Sequence, residues 1–382
     1  MLIPQNRIKL KLKLRTKTGE REMMRVGIVG CGGVSNVHVK SLIATGKCSV
    51  VSVCDLNKDR ALALAKKYGI PNVYTDFSLM LEKEKLDIVH VLVPPQAHAP
   101  LSIKAMDAGC HVLVEKPMCM TVEEADQMIE ASRRNGVKLG VVHSYLFTPA
   151  IREALAAVKR GEIGDLLWVD TVVSLYPLLG WNKGKTENYA SWYYTLQGAL
   201  FGEILPHGLY VQLAFLGKIR KIFGLTRKVG DTSELLPFSE VHAIMDCDNG
   251  TGELFVSSRV KAPHALILTR IVGSKKIMFV NIPTGTVTKM KLGGSDTLPM
   301  TKKTSLFAKA AINLEPAFQA IFKTMSLGGK AIVGSIGSEM THKILVKKFV
   351  ESIENDTEPP ITGKEGREVV KATNLLWQNI LT

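Results

Sequence analysis

The 382-residue chain predicts an α/β fold: a doubly wound parallel sheet at the N-terminus, then a second domain of helices and strands. Three observations carry this. Residues 24–40 read as strand, glycine turn and helix. Strand-like and helix-like stretches then alternate with short loops as far as His143. Beyond Leu166 the apolar stretches become strand-like runs separated by turn residues.

The first stretch runs Met24-Arg25-Val26-Gly27-Ile28-Val29-Gly30-Cys31-Gly32-Gly33-Val34-Ser35 and continues into helix-compatible residues. Strand, tight turn and helix in that order form the phosphate-cradling entry to a dinucleotide-binding domain. Gly30 makes the turn, Gly32 lets backbone N–H groups approach a pyrophosphate, and Ser35 stands where a small residue permits close helix-to-strand packing. Gly30, Gly32, Gly33 and Val34 are therefore candidate cofactor contacts.

A second strand, Ser49 to Asp55, ends in a carboxylate placed to accept hydrogen bonds from ribose hydroxyls and to repel a 2′-phosphate, which favours NAD(H) over NADP(H). Asp55 also fits a helix cap before Lys58–Tyr68, a task that Asn57 can perform instead. A short strand near Val73 and a helix from Ser78 to Glu84 precede Leu86–Val93, an apolar run expected to be buried on both faces. Pro94 and Pro95 end its ladder, and Gln96-Ala97-His98 opens a helix to Gly109. The strand His111–Val114 delivers Glu115-Lys116-Pro117 at its carboxyl end, where open parallel sheets bind ligands. Thr121 and Glu124 have capping-box spacing, and Val137–His143 supplies a sixth strand.

Composition narrows the class. Nearly half the residues are apolar, and no apolar run approaches the roughly 20 residues of a membrane span. The N-terminus lacks the pattern of a secretory signal, so a cytoplasmic location is expected. Six cysteines without C-x-x-C pairing predict reduced thiols and give no metal-site pattern. Of the net charge of +14, about +5 lies in a basic extension, residues 1–23, where Arg7, Lys9, Lys11, Lys13, Arg15, Lys17 and Arg21 face Glu20 and Glu22. The rest is spread out and suits an anionic cofactor and substrate better than a duplex, since no helix concentrates basic and base-reading residues.

Several stretches resemble the Gfo/Idh/MocA oxidoreductase family: the glycine turn, Asp55, Pro94-Pro95-Gln96-Ala97-His98 and above all Ala108-Gly109-Cys110-His111-Val112-Leu113-Val114-Glu115-Lys116-Pro117. Phe147-Thr148-Pro149, Gly161-Glu162-Ile163-Gly164, Val272-Gly273-Ser274-Lys275-Lys276 and the segment from Phe349 to Arg367 are also similar to it. The resemblance implies a Rossmann domain over residues 24–147. It also implies an α+β domain over 148–382 with a large, mostly antiparallel sheet, a C-terminal helix able to pack back on the first domain, and an active site in the cleft. The strand-like runs Leu166–Ser174, Glu240–Asp246, Thr251–Val260, Ala265–Val272 and Lys276–Asn281 agree, with Asp248-Asn249-Gly250 as a hairpin turn.

Carbinol oxidation needs a proton acceptor and a group that steadies the developing alkoxide. The Lys116 ammonium, beside the nicotinamide, is expected to fill the second role. Pro94, Pro95, His98, Glu115 and Lys116 are assigned to the cofactor's surroundings, with His98 either capping a helix there or serving the core. Gly198-Ala199-Leu200-Phe201-Gly202-Glu203-Ile204-Leu205-Pro206-His207 resembles the family's approach to an Asp-x-Gly-x-His pattern. The resemblance places Glu203 at the Asp and His207 at the His, the candidate base. Leu205 stands at the Gly and is expected to make the substrate side more apolar, while Pro206 is expected to kink a helix there.

Tyr145 and His143 either line the cleft or pack its hinge. Trp181, Tyr189, Trp192, Tyr193 and Tyr194 form an aromatic insertion suited to a substrate lid or a subunit interface. The apolar segment Ser305–Ile336 reads as a packed or interface helix, with peripheral membrane contact as the other reading.

The function expected is hydride transfer between NAD(H) and a hydroxyl or keto carbon of a sugar, cyclitol or nucleotide-sugar. Imine, enoyl or non-sugar carbonyl reduction, and a non-catalytic dinucleotide sensor, are the alternatives. The partners expected are a polyhydroxylated small molecule and further copies of the chain in a dimer or tetramer.

Overall fold

The protein is described by a computed structural model covering residues 23–175, 191–230, 233–260, 267–292 and 338–381. The basic extension, Trp181, Tyr189 and the apolar segment 305–336 lie outside the described residues. The chain divides into two compact units, residues 1–143 with 342–370, and residues 144–341 with 371–382.

The first unit holds six strands: β1 (Met24–Val29), β2 (Cys48–Cys54), β3 (Asn72–Tyr74), β4 (Ile88–Val91), β5 (His111–Val114) and β6 (Leu139–Val141). They pair in parallel in the order β3-β2-β1-β4-β5-β6. The helices between them are α1 (Ser35–Ile43), α2 (Lys58–Tyr68), α3 (Phe77–Lys83), α4 (His98–Asp107) and α5 (Val122–Asn135). Because β4 returns to the far side of β1, the strand order reverses between these two. That switch point is where an open α/β sheet leaves a crevice for ligands.

The strands are short where the sequence suggested longer ones. The run from Leu86 to Val93 pairs only over Ile88–Val91, all four residues buried, and Pro95–Ala97 forms a 3₁₀ turn before α4. The capping box of α5 is present: Thr121 Oγ1 accepts from Glu124 N at 3.1 Å, and Glu124 Oε2 accepts from Thr121 N at 3.2 Å. Residues far along the chain complete this unit. Phe349, in α8 (Ser338–Glu354), stands where a Cβ on Gly140 would lie 2.8 Å from its ring, and Glu354 pairs with Lys47.

The second unit is built on an eight-stranded sheet, β13-β12-β11-β7-β10-β9-β8-β14. Its strands are β7 (Leu166–Ser174), β8 (Ile219–Arg227), β9 (Glu240–Cys247), β10 (Gly250–Ser257), β11 (Ile267–Gly273), β12 (Lys276–Asn281), β13 (Thr286–Lys291) and β14 (Ile380–Leu381). Only the β7–β10 and β8–β14 pairs are parallel. The Asp248–Asn249 turn joins β9 and β10 as a hairpin, with Cys247 opposite Gly250. Two helices, α6 (Pro149–Lys159) and α7 (Leu200–Leu216), pack on this sheet, and a Cβ on Gly208 of α7 would come within 2.4 Å of Leu254 on β10.

Strands β8 and β13 have no counterpart among the runs read from sequence. In β8 the apolar residues Ile219 and Ile222 are separated by Arg220 and Lys221, and a bulge breaks the period-two pattern there. Pro206, expected to kink a helix, lies inside α7, which runs through it. Its neighbours on the helix are buried and packed on the sheet, so tertiary packing offsets the missing hydrogen bond. No helix among the described residues is long and apolar enough to cross a membrane.

Buried imidazoles, His111 and His143 among them, make the first unit acid-sensitive. Burial pushes the pKa of His111 down to about 4 and that of His143 down to about 3. His111 Nδ1 accepts the Lys138 N–H at 2.9 Å, a bond the imidazolium cannot make. Folded values below the unfolded value of about 6.5 mean stability is fully present above that pH and drains as pH falls toward 4. Chemical denaturation across pH 7 to 4 is expected to show a loss of about 1.4 kcal/mol per pH unit for each proton taken up on unfolding. A His111→Asn, His143→Gln double variant is expected to flatten that slope.

Candidate functional site

In the first unit the glycine turn sits at the switch point. Gly30 has φ +95°, and a Cβ there would lie 2.5 Å from the carbonyl carbon and oxygen of Leu92, which follows β4. No side chain fits, so the ends of β1 and β4 approach as backbone alone. Gly32 and Gly33 differ in kind: a Cβ on either meets nothing within 4 Å. Their small size serves no contact within the chain and leaves open space before α1. That helix starts at Val34 without a side-chain cap, and its first N–H groups carry the partial positive charge of a helix N-terminus. An open glycine shelf and an uncapped helix start fit a dinucleotide pyrophosphate.

Asp55 reaches back to the same turn. Its Oδ2 accepts the Cys31 N–H at 2.7 Å and its Oδ1 accepts the Asn57 N–H at 2.8 Å. The capping role falls to Asn57, whose side chain accepts the Arg60 N–H at 3.1 Å. Asp55 is thus a carboxylate oriented at the end of β2, with one lone pair on each oxygen beyond these bonds, which suits ribose hydroxyls.

At the end of β5 the three residues of the Glu-Lys-Pro stretch face different ways. The Glu115 carboxylate is buried within the unit: Oε1 lies 3.0 Å from His38 Nε2 and 3.5 Å from His342 Nε2, and Oε2 accepts the Lys116 N–H at 3.1 Å. Its assignment to the cofactor's surroundings is therefore indirect, through what it holds. Burial pushes its pKa up, yet the hydrogen bonds from His342 and His38 outweigh this and hold it well below the usual carboxylate range. Lys116 is half-buried, and the peptide bond to Pro117 is cis.

His98 is a core residue that ties two strand ends together, its Nδ1 2.7 Å from the Pro117 carbonyl and its Nε2 2.8 Å from that of Val93. Burial keeps the ring neutral, so it donates to one of these carbonyls at a time. Of the double proline, Pro95 is buried and Pro94 is exposed.

In the second unit α7 places Glu203 and His207 one turn apart on one face. His207 Nδ1 lies 2.9 Å from Tyr210 Oη, which also takes the Tyr145 N–H at 3.3 Å, and the rings of Tyr145 and His207 are 4.9 Å apart. Burial and then the charge of Glu203 push the Tyr145 hydroxyl pKa up. Glu203, His207, Tyr145 and Tyr210 therefore form one cluster. Leu205 corrects the sequence reading: it is 0% exposed, on the helix face opposite Glu203 and His207, so it fills the core and does not alter the polar face. Trp192 stacks on Tyr193 at 4.0 Å and is not linked to that cluster by any ring contact among the described residues.

Sequence reasoning missed Tyr210, His38, His90 and His342. Tyr210 was within reach, three residues after His207 on the same helix. His342 was not, since 227 positions separate it from the Glu115 it touches (342 minus 115).

The family model that matches the chain is described as an oxidoreductase family with an NAD-binding Rossmann fold, and it covers residues 24–143. Among curated proteins, the D-glucoside 3-dehydrogenase of Escherichia coli is 35% identical over 37% of this chain and 41% of its own length. An inositol 2-dehydrogenase of Salmonella typhimurium is 30% identical over 38% of this chain and 44% of its own. These matches span less than half of the relatives they touch. Solved structures match the whole architecture. The WlbA dehydrogenase of Bordetella pertussis, in complex with NADH and UDP-GlcNAcA, has a TM-score of 0.73 at 20% identity, covering 94% of this chain and 95% of that one. Levoglucosan dehydrogenase, in complex with NADH and levoglucosan, has a TM-score of 0.74 at 16% identity, covering 94% and 97%.

The two kinds of glycine separate experimentally. Gly32→Val is expected to leave the thermal midpoint within about 2 °C while weakening NADH binding about tenfold or more, read by fluorescence. Gly30→Val, forced against the Leu92 backbone, is expected to destabilise the unit by about 2 kcal/mol or more.

Proposed function

We propose that this chain, which belongs through its residues 24–143 to the Gfo/Idh/MocA oxidoreductase family, is an NAD(H)-dependent dehydrogenase or reductase acting at a carbinol or keto carbon of a polyhydroxylated substrate. The observation that carries the cofactor part is the empty space at Gly32 and Gly33 before an uncapped helix, with the Asp55 carboxylate turned to the same loop. The carboxylate favours NAD(H), because a 2′-phosphate would meet its charge. The substrate class is supported by relatives whose names specify a glucoside, an inositol and levoglucosan. A sugar, a cyclitol or a nucleotide-sugar fits this reading.

The bound dinucleotide supplies or accepts the hydride. Lys116 donates a hydrogen bond from its ammonium to the reacting oxygen, steadying the alkoxide in oxidation and polarising the carbonyl in reduction. His207 moves the hydroxyl proton. Its Nδ1 lies 2.9 Å from the Tyr210 hydroxyl, a contact that orients the ring. Glu203 stands one turn earlier on the same face of the helix.

Turnover with NAD⁺ over a panel of sugars, cyclitols and nucleotide-sugars tests this reading. Lys116→Ala and His207→Gln are each expected to lower kcat about 100-fold or more while NADH binding stays within about threefold. Tight NADH binding without redox change on any member of the panel would sink the enzymatic reading in favour of a dinucleotide sensor. For the cofactor, Asp55→Asn is expected to reduce the ratio of NADPH to NADH dissociation constants about tenfold, and an unchanged ratio would remove Asp55 from cofactor selection.

A further inference from the structure

We infer that His38 and His342 are positioning residues for Lys116, acting through the Glu115 carboxylate. The inference deepens the proposed function, since it rests on Lys116 as the residue that meets the reacting oxygen.

The argument begins with direction. Held ionised, a carboxylate only accepts, so the nitrogen of His38 that faces it at 3.0 Å, Nε2, must donate. A neutral His38 then has only an acceptor at Nδ1, and His90 Nδ1, 2.9 Å away, must be the donor. One assignment of protons satisfies the whole line: His90 donates to His38, His38 to Glu115, and His342 adds a longer contact to the same oxygen at 3.5 Å. The line ends at His90 Nε2, a buried nitrogen with no hydrogen-bond partner among the described residues. Burial lowers the pKa of His38 and lowers that of His90 well below its usual value, which keeps both rings in the neutral forms this line requires.

What Glu115 does with its other oxygen decides the role. Glu115 N makes a backbone bond to Val91 at 3.0 Å. The next residue, Lys116, gives its N–H to Glu115 Oε2 at 3.1 Å, and Pro117 has no N–H to give. On the other flank, His98 holds the Pro117 carbonyl at 2.7 Å. The backbone of Lys116 is thus clamped by two buried side chains, and one clamp is only as firm as the donors that fix the Glu115 carboxylate. His38 lies on α1, the helix that starts at the glycine shelf, so the same contact ties the phosphate-facing helix to the lysine's strand end. His90 lies on β4, between β1 and β5.

Removing a donor leaves a buried anion short of a partner, which favours rotation or protonation of Glu115 and frees the Lys116 amide. The test uses the full chain with four single variants: His38→Leu and His342→Leu, which remove the donor, and His38→Gln and His342→Gln, which keep an N–H. Hydrogen exchange of the peptide containing Lys116, followed by mass spectrometry, needs no substrate, so its outcome stands whether or not a sugar is turned over. NADH binding reports that each variant is folded.

Exchange of the Lys116 amide at least about tenfold faster in the Leu variants, with the Gln variants within about twofold of the parent, is the expected result. A general structural role would instead raise exchange across the unit and show no rescue by Gln. Unchanged exchange in folded Leu variants overturns the inference, and the more peripheral His342 keeps the test open if His38→Leu does not fold. Metal analysis of the purified protein supplies the other decisive arm. The ligand atoms of His38, Glu115 and His342 lie within 4.8 Å of one another, a spacing that also admits a metal ion. One zinc per chain, lost in the histidine variants, would overturn the hydrogen-bonded assignment, because metal-bound nitrogens cannot donate to Glu115.

Discussion

The structure of the first unit depends on two backbones meeting without a side chain between them. At the end of β1, Gly30 lies so close to Leu92 that even a methyl group would overlap the peptide carbonyl. This approach occurs where the strand order reverses, and so it sets how the ends of β1 and β4 frame the crevice. Everything assigned to cofactor recognition is referred to that point. The open positions Gly32 and Gly33 follow it directly, Asp55 reaches it from β2 through the Cys31 N–H, and α1 starts behind it.

A second constraint is electrostatic. Glu115 is an ionised carboxylate with little exposure, and such a group persists in a protein only when donors replace the water it has lost. Here the donors come from three places in the chain: α1, α8 and the next residue's own amide. The cost of burying the charge is offset only while all three elements keep their places, which makes the carboxylate a reporter on the packing around Lys116.

The sequence made local chemistry legible and distant packing illegible. The parallel sheet, the cap at Thr121 and the hairpin at Asn249 could be read because each depends on residues a few positions apart: a glycine turn after an apolar run, a Thr-x-x-Glu box, an Asn-Gly pair. The mostly antiparallel second sheet was readable in its alternating strands and hidden in β8, where a bulge and paired basic residues blur the alternation. At the candidate site, Asp55 and the glycines carry a local signature. The role of Glu115 does not, because its partners His38 and His342 are set by the fold. Leu205 misled because a burial context that no local pattern reveals decided its place.

The route of the chain through the first unit has a further consequence. Residues 342–370 belong to the same compact unit as residues 24–143: Phe349 packs over Gly140, Met118 packs against Gly366, and His342 reaches the Glu115 carboxylate. A nascent chain that has just left the ribosome with its sixth strand complete therefore carries an unfinished core and a carboxylate short of a partner. The dinucleotide-binding unit cannot reach its final packing until roughly two hundred more residues have been synthesised, so it must remain a partly ordered intermediate throughout the making of the second unit.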